Sequence, residues 1–231
     1  KLKRLLFLCK FHKTDFNHLI RKERISKPRK IANFWSFLLL MIPYPALLAY
    51  FRKLSDLTQE EFDEFKDKFV FHQAKRREFI LQEGEVCHAN YFIVQGSFRM
   101  YQINEMGQEM IRYFALENKF GTNLTSLIEG SPSVEYIQAI EPTAYFKISR
   151  SDFFHLVETS PHVNKAYRNI LENAYITSQK RIYKLQGMSA LDRLKWLIEH
   201  YPGILTRIPS KMIASYLGIT PFTMSRLKSE L

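Results

Sequence analysis

Cysteine is almost missing from this chain: among 231 residues there are two, Cys9 and Cys87, far apart and in no CxxC pair. That argues against a disulfide framework and against a thiolate metal site, and it fits a reducing, cytoplasmic setting. The signatures of common enzymes are missing too. No GxSxG, HExxH, P-loop or GxGxxG occurs, and Cys87 beside His88 makes no nucleophile–base pair by adjacency alone. No catalytic role is expected. There is also no internal repeat and no low-complexity tract. What is present is apolar: 46% hydrophobic and 14% aromatic residues can bury a genuine core, which argues against wholesale disorder.

The net charge of +11 suggests a nucleic-acid partner until it is divided along the chain. Residues 1–53 hold 13 Lys/Arg against 2 Asp/Glu, already +11, so the remainder sums to zero. Within that remainder, residues 54–174 carry 12 basic and 18 acidic groups, and residues 175–231 carry 9 and 3. The basic end suits contact with phosphates, where neutralisation releases counterions. A merely solvated basic face would give the same count.

Ile31 to Phe51 is a run of 21 uncharged residues behind a basic cluster, superficially a membrane span. Pro43 and Pro45 interrupt it, and its strongly apolar part, Phe37 to Ile42, is too short to cross a bilayer. No membrane anchor is expected. The chain starts at Lys1, and Met41 offers an alternative natural start.

Thr58 with Glu61 three residues on forms a capping-box pattern, followed by Phe62, Phe65 and Phe69 at helical spacing. The period then shortens. Phe79–Leu81, Tyr91–Val94, Phe98–Ile103, Met110–Phe114, Tyr136–Ile140 and Ala144–Ile148 read as strands, punctuated by Gly84, Gly96, Gly107 and Pro142, which predicts a β-sandwich or barrel. Ser151 then opens a helix. From Pro161 to about Gln186 a longer one carries Val163, Tyr167, Ile170, Leu171, Ala174, Ile182 and Leu185 as an apolar stripe. Such a stripe suits a helix packed on the sheet or, given its length, a dimer seam.

Leu191–His200 is a further predicted helix, stopped by Pro202 and Gly203. Beyond it Ser210 can cap a short helix that Gly218 ends in the left-handed conformation. Thr220 can cap the next, with Pro221 at its first position. Ile213, Ala214, Leu217, Ile219, Met224 and Leu227 point inward, which suits a helix-turn-helix. An αα-hairpin without a DNA role would share that spacing. The outward set is Phe222, Thr223, Ser225, Arg226 and Ser229, with Lys228 alongside. Arg226 is the candidate for bidentate reading of guanine, whereas Ser210, Lys211 and Thr223 suit phosphates.

The run Ile213-Ala-Ser-Tyr-Leu-Gly-Ile-Thr-Pro221, with Ile208-Pro209, Thr223, Ser225 and Arg226, resembles the C-terminus of the Crp/Fnr superfamily of bacterial transcription regulators. Upstream, Leu81–Glu85, Tyr91–Gly96 and Phe120-Gly121 resemble its cyclic-nucleotide-binding-like β-roll. The resemblance implies an α+β fold: an antiparallel β-roll (a double-stranded β-helix or jelly roll), a long dimerisation helix, and a C-terminal winged helix-turn-helix. The implied division is a basic N-terminal extension at 1–45, an effector domain at 46–160, the dimerisation helix at 161–187 and a DNA-binding domain at 188–231. It further implies a homodimer on double-stranded operator DNA, RNA polymerase as a partner, and control by a signal or small molecule in the roll. DNA contacts would come from Ser210, Lys211, Thr220, Phe222, Thr223, Ser225, Arg226 and Lys228, and the effector pocket from Phe120, Gly121, Thr122, Asn123, Ser133 and Val134.

The chain departs from the family pattern twice. Cyclic-nucleotide binders carry a cassette near FGE followed by Arg-Ser/Thr-Ala. Here Thr122 and Asn123 follow Gly121, the later segment is Ser131-Pro-Ser-Val-Glu135, and Glu135 would repel a phosphate. The effector is therefore not expected to be cAMP, and no cofactor is assigned. Two isolated cysteines exclude a four-ligand iron–sulfur cluster, whereas haem on one of His72, His88, His155, His162 or His200 stays open. The family's acidic residue after the proline is Phe222, which turns one polar base contact into an apolar one. A rival reading follows from that change: a ligand-sensing module without DNA binding, held at a membrane by its N-terminal segment.

Overall fold

The computed structural model describes residues 44–230. Cys9, the basic N-terminal cluster, Met41 and the first part of the apolar run lie outside the described residues. The run's end does not: α1 (Tyr44–Leu54) starts with Pro45 in its first turn and buries Leu47, Leu48 and Phe51 in the protein core. A capping box at Thr58 and Glu61 starts α2 (Gln59–Asp63). This helix is shorter than its phenylalanine spacing predicts, because Lys66–Lys68 tightens into a 3-10 turn that swings Phe65 and Phe69 back onto Phe51.

Eight strands follow: β1 (Val70–Ala74), β2 (Phe79–Leu81), β3 (Ala89–Gln95), β4 (Phe98–Ile103), β5 (Glu109–Ala115), β6 (Phe120–Gly121), β7 (Tyr136–Ala139) and β8 (Thr143–Ser149). They pair antiparallel into two four-stranded sheets, ordered β1-β8-β3-β6 and β2-β7-β4-β5. The sheets enclose Leu81, Ile93, Phe98, Met100 and Ile137 between them. Strand β3 is buried on both faces, so it reads as a nearly unbroken apolar run: Tyr91 and Ile93 face the interior, while Phe92 faces a second cluster with the helices. Gly96 turns β3 into β4 at φ +96°, and a Cβ there would lie 2.7 Å from Thr143 Cα and 2.8 Å from Pro142 O. Only glycine fits that turn.

The short helix α3 (Leu124–Glu129) leaves the roll behind β6, capped by Asn123. After β8 come α4 (Arg150–Thr159), capped by Ser149 two residues before the predicted Ser151, and α5 (Pro161–Gly187). Ser160 caps α5 with Pro161 at its first position. Its first turns bury Val163 and Ala166, whereas farther along Tyr175, Ile176, Ile182 and Tyr183 are exposed. Four shorter helices complete the described chain: α6 (Ala190–His200), α7 (Ile204–Arg207), α8 (Ser210–Leu217) and α9 (Pro221–Ser229). No strand follows β8 among the described residues, so the expected wing is not found there. Between α6 and α8, Gly203 at φ +82° turns the chain into α7.

Candidate nucleic-acid interface

Helices α8 and α9 are held at their ends by cap geometry. Gly218 closes α8 in the left-handed conformation (φ 66°, ψ 38°), and Ile219 N–H reaches back to Ala214 O at 3.0 Å. Thr220 caps α9, its Oγ1 accepting from Thr223 N–H at 3.0 Å, with Pro221 at the first position. Ser210 is not a cap: it lies inside α8, behind Pro209, and its Oγ accepts instead from Lys228 Nζ at 2.9 Å. Proline at the boundary already fixes the backbone there, so the hydroxyl is left for the second helix.

The inward set packs as one cluster. Ile213, Ala214, Leu217, Met224 and Leu227 are buried, Ile219 is half-buried, and Leu194, Leu197, Ile204 and Ile208 join from α6, α7 and the α7–α8 junction. Of the outward set, Phe222 is 80% exposed, Ser225, Arg226 and Lys228 are exposed, and Thr223 is half-buried. Thr220 and Thr223 come together, their hydroxyls 2.9 Å apart. Ser210 and Lys228 bridge α8 to α9, and Lys211 stands exposed on the first turn of α8. An uncovered helix with its N-terminus capped and an arginine on the same face can enter a major groove.

The cluster beneath this pair does not stop at the helices. It includes Tyr101, Ile111, Phe114 and Ile140 of the roll. Strand β5 is the edge of its sheet, and α8 lies against it. Ser215 Oγ donates to Glu109 O at 2.6 Å and accepts from Ile111 N–H at 2.9 Å, satisfying two edge groups that would otherwise want a strand. Tyr216 packs on Phe114 with ring centroids 5.1 Å apart, and burial pushes its phenol up to about 12. Arg181 of α5 lies 4.5 Å over that ring and donates to both Ile111 O and Tyr216 O, joining roll, long helix and α8. Arg193 caps the next carbonyl, Leu217 O, at 2.7 Å; two arginines thus meet the negative end of α8. At the far side Arg207 of α7 binds Glu117, Glu141 at 2.8 Å and Gly96 O at 3.0 Å. Burial pushes the Glu117 carboxyl up, but its bonds to Arg207 and to backbone N–H groups, Gly96 among them, together hold it below the usual carboxylate range.

The predicted effector residues divide. Phe120 turns to the helix side of β6, among Tyr50, Phe51, Phe92 and Phe153. Gly121 is closed in: an added Cβ would lie 2.7 Å from Met100 Cε. Thr122 Oγ1 donates to Ala89 O, and Val134 is 62% exposed. Asn123 and Ser133 do converge, on Glu135. Asn123 Nδ2 donates to Glu135 Oε2 at 3.0 Å, while Ser133 Oγ bonds both the Glu135 N–H and its carbonyl.

Glu135 is 5% exposed, and its carboxylate is gripped at both oxygens by Arg112 of β5, Nε to Oε1 and Nη2 to Oε2 at 2.8 Å. The arginine of this group thus comes from β5 and is paired with a carboxylate. Arg112, Arg207, Ser215 and Arg181 were absent from the sequence-based candidates. Each acts across the sheet or between elements, and no local motif marks such pairs.

Residues 71–160 match the family described as the cyclic nucleotide-binding domain. The regulatory protein HlyX of Actinobacillus pleuropneumoniae is 26% identical over 164 residues, covering 66% of this chain and 68% of HlyX. The cAMP-activated global transcriptional regulator CRP of Pasteurella multocida is 22% identical over 168 residues, covering 68% of this chain and 79% of its own. Among solved structures, FixK2 from Bradyrhizobium japonicum has the same fold, with a TM-score of 0.62 at 22% identity, covering 71% of this chain and 84% of FixK2.

Proposed function

We propose that the chain is a transcription regulator of the Crp/Fnr family, to whose members it is similar in sequence and fold, and that it binds operator DNA as a homodimer through α9. The observation that carries this reading is the contrast on α9 itself. Its inward residues Met224 and Leu227 are buried in a shared core, while Phe222, Ser225 and Arg226 face solvent on a capped helix. Arg226 reads a base edge, and Lys211, Lys228 and the Thr220–Thr223 pair hold backbone phosphates. Phe222 meets an apolar part of the groove, such as a thymine methyl.

A second copy covers the exposed apolar residues of α5, since Tyr175, Ile176, Ile182 and Tyr183 lie on a helix that the other described residues leave open. Two-fold symmetry then sets the operator as two half-sites about one helical turn apart. The signal acts in the cytoplasm on the roll and is not cAMP, a reading supported by the pairing of Arg112 with the Glu135 carboxylate. RNA polymerase is the further partner of the DNA-bound dimer. No helix among the described residues is long and apolar enough to cross a membrane, and no catalytic role is assigned.

Retardation of the host's promoter fragments at low salt tests the reading. Arg226→Ala should lose about 1–3 kcal/mol of operator affinity and relax specificity at one base pair. Absence of any retardation by the unaltered protein favours the sensing module without DNA binding.

A further inference from the structure

Phe222 is the most exposed large apolar side chain among the described residues: it is 80% exposed and joins none of the core clusters. It stands in the first turn of α9, and that turn offers a base edge little else. Pro221 before it has no N–H to give, and no acidic side chain lies in the turn. Thr220 and Thr223 are spent largely on each other: their hydroxyls lie 2.9 Å apart, and Thr220 Oγ1 also accepts from Thr223 N–H at 3.0 Å. The hydroxyl proton left over suits a backbone phosphate.

A carboxylate at this position would accept from the amino group of cytosine, which a phenyl ring cannot do. The apolar feature that a base edge offers in the major groove is the C5 methyl of thymine. Cytosine carries hydrogen at that carbon, and 5-methylcytosine carries the same methyl in the same place. A ring in contact there sorts pyrimidines by the methyl and not by the amino or carbonyl group beside it. Arg226 follows four residues on, on the same face of the helix. That spacing separates Cβ atoms by about 5–6 Å, against a rise of about 3.4 Å per base pair. The methyl and the guanine of Arg226 therefore fall within about two base pairs of each other.

We propose that Phe222 reads the C5 methyl group of a pyrimidine beside the guanine of Arg226, so that thymine and 5-methylcytosine are both accepted there and methylation of a cytosine at that position raises affinity. This rests on the DNA-binding reading of α9. The partner is thereby narrowed to half-sites that carry a methylated pyrimidine, natural or modified, at one fixed position. A site with plain cytosine there is a weak one until the base is methylated.

The test uses labelled duplexes of a promoter fragment that the protein retards, with binding followed by anisotropy at one salt concentration. At each thymine of a half-site in turn the base is replaced by uracil, by cytosine and by 5-methylcytosine, the last two with guanine opposite. Thymine against uracil, and 5-methylcytosine against cytosine, then differ by one methyl group alone. The variant is Phe222→Ala. Its ring is outside the core, so a thermal melt should match that of the unaltered protein.

At one position the unaltered protein should bind uracil about fourfold more weakly than thymine, the scale of one methyl group withdrawn from water, and 5-methylcytosine more tightly than cytosine by a similar factor. Phe222→Ala should bind each pair of duplexes equally at that position while keeping its preference for the neighbouring guanine. If no methyl affects the unaltered protein, or if Phe222→Ala keeps the same methyl preference, the methyl contact is overturned and α9 remains the reader through Arg226. Failure to retard any promoter fragment would overturn both readings together.

Discussion

In the roll, the polar side chains around Glu135 are engaged with one another: Glu135 with Arg112 and Asn123, and Ser133 with the Glu135 backbone. On α9 they are turned outward, with Arg226 and Ser225 in solvent and the one ion pair of Arg226 stretched to 3.8 Å. The two regions share the molecule's apolar core through Phe114 and Tyr216, so they differ in chemistry rather than in order. Polar groups consumed internally serve stability, whereas polar groups left outward on a fixed frame are available to a partner. Substitutions in the roll should therefore cost folding, and substitutions on α9 should cost binding.

The largest expected effect is at Arg112. Its removal leaves a carboxylate only 5% exposed with Asn123 as its remaining side-chain donor. Arg112→Ala should cost about 3 kcal/mol in urea unfolding, the scale for an orphaned buried charge. Replacing both members, Arg112→Met with Glu135→Leu, should recover most of that loss, because apolar isosteres leave no charge unpaired. Arg226→Ala should leave the same unfolding curve unmoved. If Arg112→Ala shifted the midpoint no more than Arg226→Ala does, the contrast between the two regions would collapse.

A smaller effect lies where the regions meet. Glu117 is held below the usual carboxylate range in the folded protein, Arg207 and backbone N–H donors together outweighing the opposing effect of burial. Its contribution is therefore fully present above the unfolded glutamate pKa of about 4.3 and is lost as pH falls through the lower folded value. Glu109, lowered by its bonds to Arg99, adds to the same trend. Thermal melts from pH 6 down to pH 3 should lose stability in acid, and Glu117→Gln should flatten that slope while costing about 1 kcal/mol at neutral pH. An unchanged slope in the variant would mean that Arg207 does not tie the helix-turn-helix to the roll.

The same division explains what could be read from the chain. Both helices of the helix-turn-helix were legible because their signals are local: Gly218 must take a left-handed turn, Thr220 must cap, and Ile213, Ala214 and Leu217 recur at helical spacing. Six strands were legible from apolar runs between turn residues. Strand β6 was not, being two residues long, and β1 was not, its exposed Val70 and Gln73 giving no clear alternation. Glu135 was recognised as hostile to phosphate, but Arg112, 23 residues earlier, was not seen as its partner. That pairing depends on how the strands come together, which the local motifs do not report. Ser215 was visible as part of a motif, and its bonds to Glu109 and Ile111 were not, because an edge strand leaves no mark on the helix that covers it.

The smallest effect sharpens the comparison most directly, since it asks whether Arg226 is held by its own chain. Glu230 lies one turn on, with Nε to Oε1 at 3.8 Å and side-chain exposures of 66% for Arg226 and 46% for Glu230. An ion pair so long and so exposed is worth about 0–0.5 kcal/mol, because water screens it and two flexible side chains must be ordered to form it. Glu230→Gln should leave thermal stability unchanged. It should raise operator affinity about twofold, by removing a carboxylate that competes with the DNA for the guanidinium and repels nearby phosphates. A measurable loss of stability would place Arg226 among the internally consumed groups, on the roll's side of the comparison. Unchanged stability with a gain in affinity keeps it outward, as a side chain whose partner is the nucleic acid.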